Sequence, residues 1–259
     1  MKRYKGMKKR FKKPLILGMV LSFTLQGMAI PVSAKEEDPD VVLAYKTHFD
    51  IGFTDFAKNV IDRYRTTFID NALKSIDESS SLPEEEQFKW ILPGWPLAKI
   101  MEDWSGQTEE RKQKIDEAIE NDRILVHGLP FSLESEALDL EDMVRSMNYS
   151  SEIARKYGKD LPISGKMTDV PEQSWILPTL LKHAGIEFLH LGCNPASTPP
   201  DVPPLFWWEG PDGSRVLTMY SKDYGVGALP PEDWPYDVWL GLKMTGDNAG
   251  PPSISNVEN

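Results

Sequence analysis

The chain has 259 residues, with 40 Asp and Glu against 29 Lys and Arg, and a formal charge of −11 at pH 7. A surface this acidic repels phosphate backbones, which excludes nucleic acid as a partner. A single cysteine, Cys193, rules out an internal disulfide framework, and the length suits one domain with a sizeable core.

The first thirteen residues carry eight Lys or Arg and no acid; an apolar run from Pro14 to Ile30 follows, then Val32-Ser33-Ala34. That is the order of a secretory signal peptide over 1–34, cleaved after Ala34. Ser22, Thr24 and Gln26 interrupt the run, which is short for a membrane span of about 20 residues. The expectation is a secreted or cell-envelope protein with no stable membrane anchor after cleavage. The remaining stretch, 35–259, holds all 40 acids against 21 bases, a formal −19.

Within it, Val41-Val42-Leu43-Ala44-Tyr45 is a short β-branched apolar run that predicts a buried strand. It leads into His48 and Asp50, whose side chains leave a strand on the same face. An imidazole and a carboxylate converging there form half of a zinc site, with Gly52 letting the chain turn close by. The plainer alternative is a capped strand with a surface Asp. Asp55 to Ser75 spaces its apolar residues as a helix that covers this strand.

Phe88 to Leu92 predicts a second strand, stopped by Pro93-Gly94, and Pro96 to Trp104 and Glu109 to Asn121 predict helices. Arg123 to Gly128 is a third strand, and Leu140 to Tyr157 a helix ended by Gly158. Ile163 to Asp169 is a fourth strand, Ser174 to Ala184 a helix closed by Gly185, and Phe188 to Gly192 a fifth strand. Arg215 to Tyr220 is a later strand after Trp207-Trp208. Such alternation predicts a parallel sheet covered on both faces, as an open doubly wound sheet or as a barrel. No glycine-rich phosphate loop follows the first strand, which weakens the nucleotide-binding version.

In either architecture the site belongs at the carboxyl ends of the strands. The polar residues there are His48, Asp50, His127, Asp169 and His190, with Asp223 and Asp247 later. Asp169 meets a proline-bearing turn, so a helix-entry cap competes with a site role. His127 and His190 also suit satisfied core histidines, and His183 beside Lys182 suits a solvent-facing helix position.

Lys46-Thr47-His48-Phe49-Asp50-Ile51-Gly52-Phe53 resembles the His-x-His-x-Asp-x-Gly-Trp zinc motif of glycoside hydrolase family 38, the α-mannosidases. Gly165 to Pro171 resembles that family's Trp-x-x-Asp-x-Phe-Gly motif, and Leu140 to Arg145 its Gly-Glu-Ser-Leu-Val-Arg stretch. Thr245 to Pro251 is similar to its Gly-Asp-Gly-Gly-Gly-Pro loop. The run Lys166 to Tyr220 looks like an uncharacterised bacterial branch, a domain of unknown function. The chain departs from the pattern at Lys46, which replaces the first His, and at Val170-Pro171-Glu172, which replaces the Phe-Gly turn.

The resemblance implies a zinc-dependent retaining glycoside hydrolase acting on extracellular glycans, on an incomplete, seven-stranded (β/α) barrel of the glycoside hydrolase/deacetylase kind. It implies Zn²⁺ held by His48, Asp50 and Asp169, with Asp169 also the nucleophile and Asp247 the general acid/base. Glu134 falls opposite a substrate-side Asp of the family. Trp207, Trp208 and Trp95 suit either sugar stacking or the core. Family members run longer and draw a fourth ligand, a His, from later domains, so 35–259 is expected to be the amino-terminal catalytic part of a longer enzyme. Two other functions stay open: a polysaccharide deacetylase-like zinc hydrolase, and a non-catalytic carbohydrate-binding fragment.

Overall fold

A computed structural model describes residues 2–3, 39–225, 227, 229–232 and 234–257. Apart from Lys2–Arg3, the expected signal peptide lies outside the described residues. No helix among them is long and apolar enough to cross a membrane.

Among the described residues there are nine strands, in chain order β1 (Lys2–Arg3), β2 (Asp40–His48), β3 (Trp90–Pro93), β4 (Ile124–His127), β5 (Ser164–Asp169), β6 (Phe188–Cys193), β7 (Leu205–Glu209), β8 (Arg215–Ser221) and β9 (Val238–Asp247). They pair as three sheets, in the orders β1-β2-β9, β3-β4 and β5-β6-β8-β7. The expected barrel is therefore corrected: among the described residues no ladder closes the sheets into a ring. The breaks have a local cause. β4 stops at His127, and the next amide, Gly128, donates to the Ser164 carbonyl at 2.7 Å. One bond at a corner replaces a ladder there, and Ile186 fills the space where a side chain on Gly128 would lie.

Besides β1, which lies within the expected signal peptide, β7 and β9 are strands not expected from the sequence. β7 runs antiparallel to β8, joined by a Gly-Pro-Asp-Gly turn in which Gly210 N–H meets the Ser214 carbonyl at 2.8 Å and Gly213 has φ +82°. β9 lies parallel to β2, from Asp40 beside Val238 to His48 beside Asp247. Gly241, Lys243 and Thr245 break its apolar run, which hides a strand that buries Trp239 and Leu242.

The helices fall close to where periodicity places them. The first is α1 (Ala57–Arg63) and α2 (Ile69–Glu78), joined by a π-helical turn, Tyr64–Phe68, whose two buried aromatic rings meet edge to face, with Tyr64 also edge-on to Phe49. Next come α3 (Gly94–Met101) and α4 (Glu109–Glu120); Thr108 caps α4 by accepting from the Arg111 amide, and Ile115, Ala118 and Ile119 form its buried face. The single helix expected over Leu140 to Tyr157 is two, α5 (Leu140–Ser146) and α6 (Asn148–Lys156), bent at Met147. The bend lets one segment serve two cores. Met143 and Met147 join a cluster with Leu129, Met167, Leu177 and Leu189, while Ile153 joins Trp90, Leu92, Leu97 and Ile124. α7 (Leu177–His183) covers the third sheet, and a short α8 (Ile254–Val257) follows β9.

Candidate active site

β2 delivers His48 to its carboxyl end with the ring 2% exposed. Its Nδ1 lies 3.0 Å from the Thr168 hydroxyl at the end of β5, which leaves Nε2 facing the opening. There Nε2 meets Asp50 Oδ1 at 3.1 Å and Asp169 Oδ2 at 3.8 Å. Burial pushes the His48 pKa down, against the pull of Asp50. Burial pushes the Asp50 carboxyl up, and Asp169 and Asp247 push it further, while His48 holds it down. The imidazole is thus kept neutral, as a metal ligand must be.

Asp247 reaches the same spot because β9 is bulged. Lys46 pairs with Met244 but His48 pairs with Asp247, so β9 fits an extra residue opposite this stretch of β2. Gly246 takes up the distortion at φ +136°. One donor atom each from His48, Asp50 and Asp247 then lie within 4.8 Å of one another. The next residue, Asn248, is 5% exposed and ties the loop down. Its Oδ1 accepts from the Asp50 amide at 2.9 Å, and its Nδ2 donates to the Thr54 hydroxyl at 2.9 Å and the Gly52 carbonyl at 3.3 Å.

Asp169 ends β5 at φ +82°, a left-handed conformation unusual for any residue but Gly, Asn or Asp. Its Oδ1 accepts from Asn194 Nδ2 at 2.6 Å and from the Tyr224 hydroxyl, leaving Oδ2 turned toward His48. Tyr224 stacks on the His48 ring, 4.8 Å between centroids and 22° between planes. Burial, and then the Asp169 carboxylate it serves, push the Tyr224 pKa up, so its hydroxyl remains a donor. Asn248, Tyr224, Asn194 and Thr168 were not read from the sequence. A His-Asp motif draws attention to itself, whereas a positioning Asn or Tyr gives no such signal.

The other candidates make none of these contacts. Glu134 is exposed on the loop after β4. Trp207 and Trp208 lie on the outer strand β7 beside Leu217 and Val216, whereas β8 reaches the site end at Ser221. Trp207 is 62% exposed and Trp208 packs on the second core. Trp95 packs on Phe131 and Phe49 at the edge of the first core. Asp223 is exposed, and its carboxylate accepts from the Tyr224 amide at 2.6 Å. His183 is solvent-facing and pairs with Asp212 at 3.1 Å.

The donors suit zinc. It takes imidazole nitrogen and carboxylate oxygen at about 2.0–2.2 Å, so neighbouring ligand atoms in a tetrahedron sit roughly 3.4 Å apart. The 4.8 Å spread of His48, Asp50 and Asp247 needs only small side-chain movement to reach that. Thr168 supplies the outer contact that orients a ligating His.

The description "Glycosyl hydrolases family 38 N-terminal domain" matches residues 39–249. Comparison with curated proteins finds no match. Among solved structures, an alpha-mannosidase from Enterococcus faecalis V583 is similar with a TM-score of 0.62 at 17% identity, over 80% of this chain and 25% of that one. A protein in the glycosyl hydrolase family 38 from Enterococcus faecalis gives 0.56 at 16% identity, over 82% of this chain and 24% of that one. A 4-alpha-glucanotransferase from Thermococcus litoralis gives 0.52 at 13% identity, over 80% and 33%. The chain spans about a quarter of the length of the two Enterococcus proteins. With the family description matching 39–249 of 259 residues, the chain belongs to glycosyl hydrolase family 38, through the N-terminal domain of that family.

Proposed function

We propose that this domain carries the catalytic centre of an exported, zinc-dependent retaining glycosidase of the α-mannosidase kind, acting on extracellular glycans. The observation that supports it best is the convergence of His48, Asp50, Asp169 and Asp247 at one end of β2, β5 and β9. His48, Asp50 and Asp169 would hold Zn²⁺, which supplies Lewis acidity and a seat for vicinal sugar hydroxyls. Asp247, with a carboxylate oxygen within 4.8 Å of donor atoms of His48 and Asp50, borders that seat.

Asp169 is the nucleophile. Tyr224 and Asn194 fix one carboxylate oxygen, so the other is aimed without losing further rotational freedom at the moment of attack. It forms a bond to the anomeric carbon as the glycosidic bond breaks. Asp247, exposed at a glycine-flanked strand end, gives its proton to the departing oxygen and later takes one from water. Retention calls for the two carboxyls about 5–5.5 Å apart across the bond being cut.

The test uses the full polypeptide, zinc binding by calorimetry, and paired substrates, a nitrophenyl α-mannoside and a natural α-mannoside. Asp169→Ala should abolish turnover of both and weaken zinc binding. Asp247→Ala should keep zinc and retain activity mainly on the nitrophenyl substrate, whose leaving group needs no proton. If Asp247→Ala instead loses zinc and both activities alike, Asp247 is a metal ligand and the acid/base assignment fails.

A further inference from the structure

Two residues before His48 on β2 lies Lys46, and two residues before Thr168 on β5 lies Lys166, so each shares a face with the residue above it. His48 and Thr168 are bonded to each other, which places the two lysines together one step beneath the metal seat. Lys166 pairs directly with His190 in the β5-β6 ladder, so those side chains stand side by side. His127, at the end of β4, completes the group and lies close enough for both lysines to act on it electrostatically.

This interior is basic and its polar atoms lack partners. Lys46 and His127 are each 4% exposed and His190 is 2% exposed. Lys46 Nζ, His127 Nε2 and His190 Nδ1 have no hydrogen-bond partner among the described residues. The His127 tautomer follows from its neighbour: Nδ1 accepts the Leu129 amide at 3.3 Å, so Nε2 carries the proton and points it at no acceptor. His190 uses Nε2 on the Ser221 hydroxyl at 2.7 Å. Lys166 lies close enough to Lys46 for the two side chains to act on each other, and it carries no acceptor oxygen. Natural interiors rarely leave such donors unmet.

We infer that Lys46, Lys166, His127 and His190 enclose a binding site for one small inorganic monoanion of the halide class. Water is the poorer occupant: it must donate two hydrogens, and the walls are mainly donors. An anion only accepts. A sugar is too large an occupant for a space walled by Lys46, His127 and His190, each no more than 4% exposed. The inference stands whether or not the site above performs glycoside hydrolysis.

Crystals of the intact protein soaked in sodium bromide, with diffraction recorded at the bromine absorption edge, test it directly. We expect an anomalous peak in contact with Lys46 Nζ and Lys166 Nζ. In solution, chloride at ten times its Kd should raise Tm by about 3–6 °C over gluconate at equal ionic strength. Lys46→Met and Lys166→Met should each remove both signals. An empty or water-filled position in the bromide map, with equal Tm in chloride and gluconate, overturns the inference from the wild-type protein alone, whatever the variants do.

Discussion

Asn248→Ala separates a working clamp from a decorative one. The side chain makes three hydrogen bonds, to the Asp50 amide, the Gly52 carbonyl and the Thr54 hydroxyl, from a position only 5% exposed. At about 1 kcal/mol net for each bond, their loss costs about 3 kcal/mol. Asn248 also sits at φ +47°, where alanine adds about 1–2 kcal/mol that glycine would not. The expected loss is therefore about 4–5 kcal/mol for Asn248→Ala and roughly 3 kcal/mol for Asn248→Gly. Urea unfolding reads both. Because the Asp50 amide is one of the freed groups, zinc affinity should fall about tenfold or more in either variant, as when other outer-sphere supports are removed. A loss under about 1 kcal/mol with unchanged zinc affinity would refute the idea that Asn248 positions Asp50.

Tyr224→Phe removes the hydroxyl bond to Asp169 but keeps the stack on His48; kcat should drop about 10- to 100-fold, the worth of one bond to a charged group, and zinc affinity by calorimetry about tenfold, because Tyr224 supports a proposed ligand. Unchanged kcat and unchanged zinc affinity would remove Tyr224 from the positioning of Asp169. Burial holds the His127 pKa down to about 3, well below its value of about 6.5 in an unfolded chain. The unfolded state then binds the proton first, so the stability this neutral His contributes is present above pH 6.5 and is lost as pH falls toward 3. Unfolding free energies at pH 7 and pH 5 should differ by about 2 kcal/mol on its account, and His127→Gln should flatten that difference; an unchanged pH slope contradicts it.

Much of the scaffold was legible because its signals are local. The Glu109–Glu120 helix announces itself by a Thr cap and the spacing of Ile115 and Ile119, and β6 by a short apolar run. β9 was not, since a central strand carrying Gly241, Lys243 and Thr245 earns its place from its partner β2 rather than from its own pattern. Sheet closure is likewise a property of how edges meet, and a single bond at Gly128 decides it between β4 and β5. At the candidate site, strand-end position alone leaves seven acids and imidazoles open, and it is the family resemblance that singles out His48, Asp50, Asp169 and Asp247, which the fold brings together. Trp207 and Trp208 illustrate the converse: an aromatic pair near a strand carries no information about which end of the sheet it faces, and the antiparallel course of β7 takes both away from the site. Lys46 was noticed only as a departure from a motif, while its setting beside Lys166, His127 and His190 depends on three strands distant in sequence.

The metal content of the purified protein, after dialysis against a weak chelator and then limiting zinc, tests the central claim most directly. The account predicts one tightly held zinc per chain in the wild type, and none in His48→Ala with its fold intact by circular dichroism. A wild-type protein that takes up no zinc, or a folded His48→Ala protein that still holds one, would contradict it.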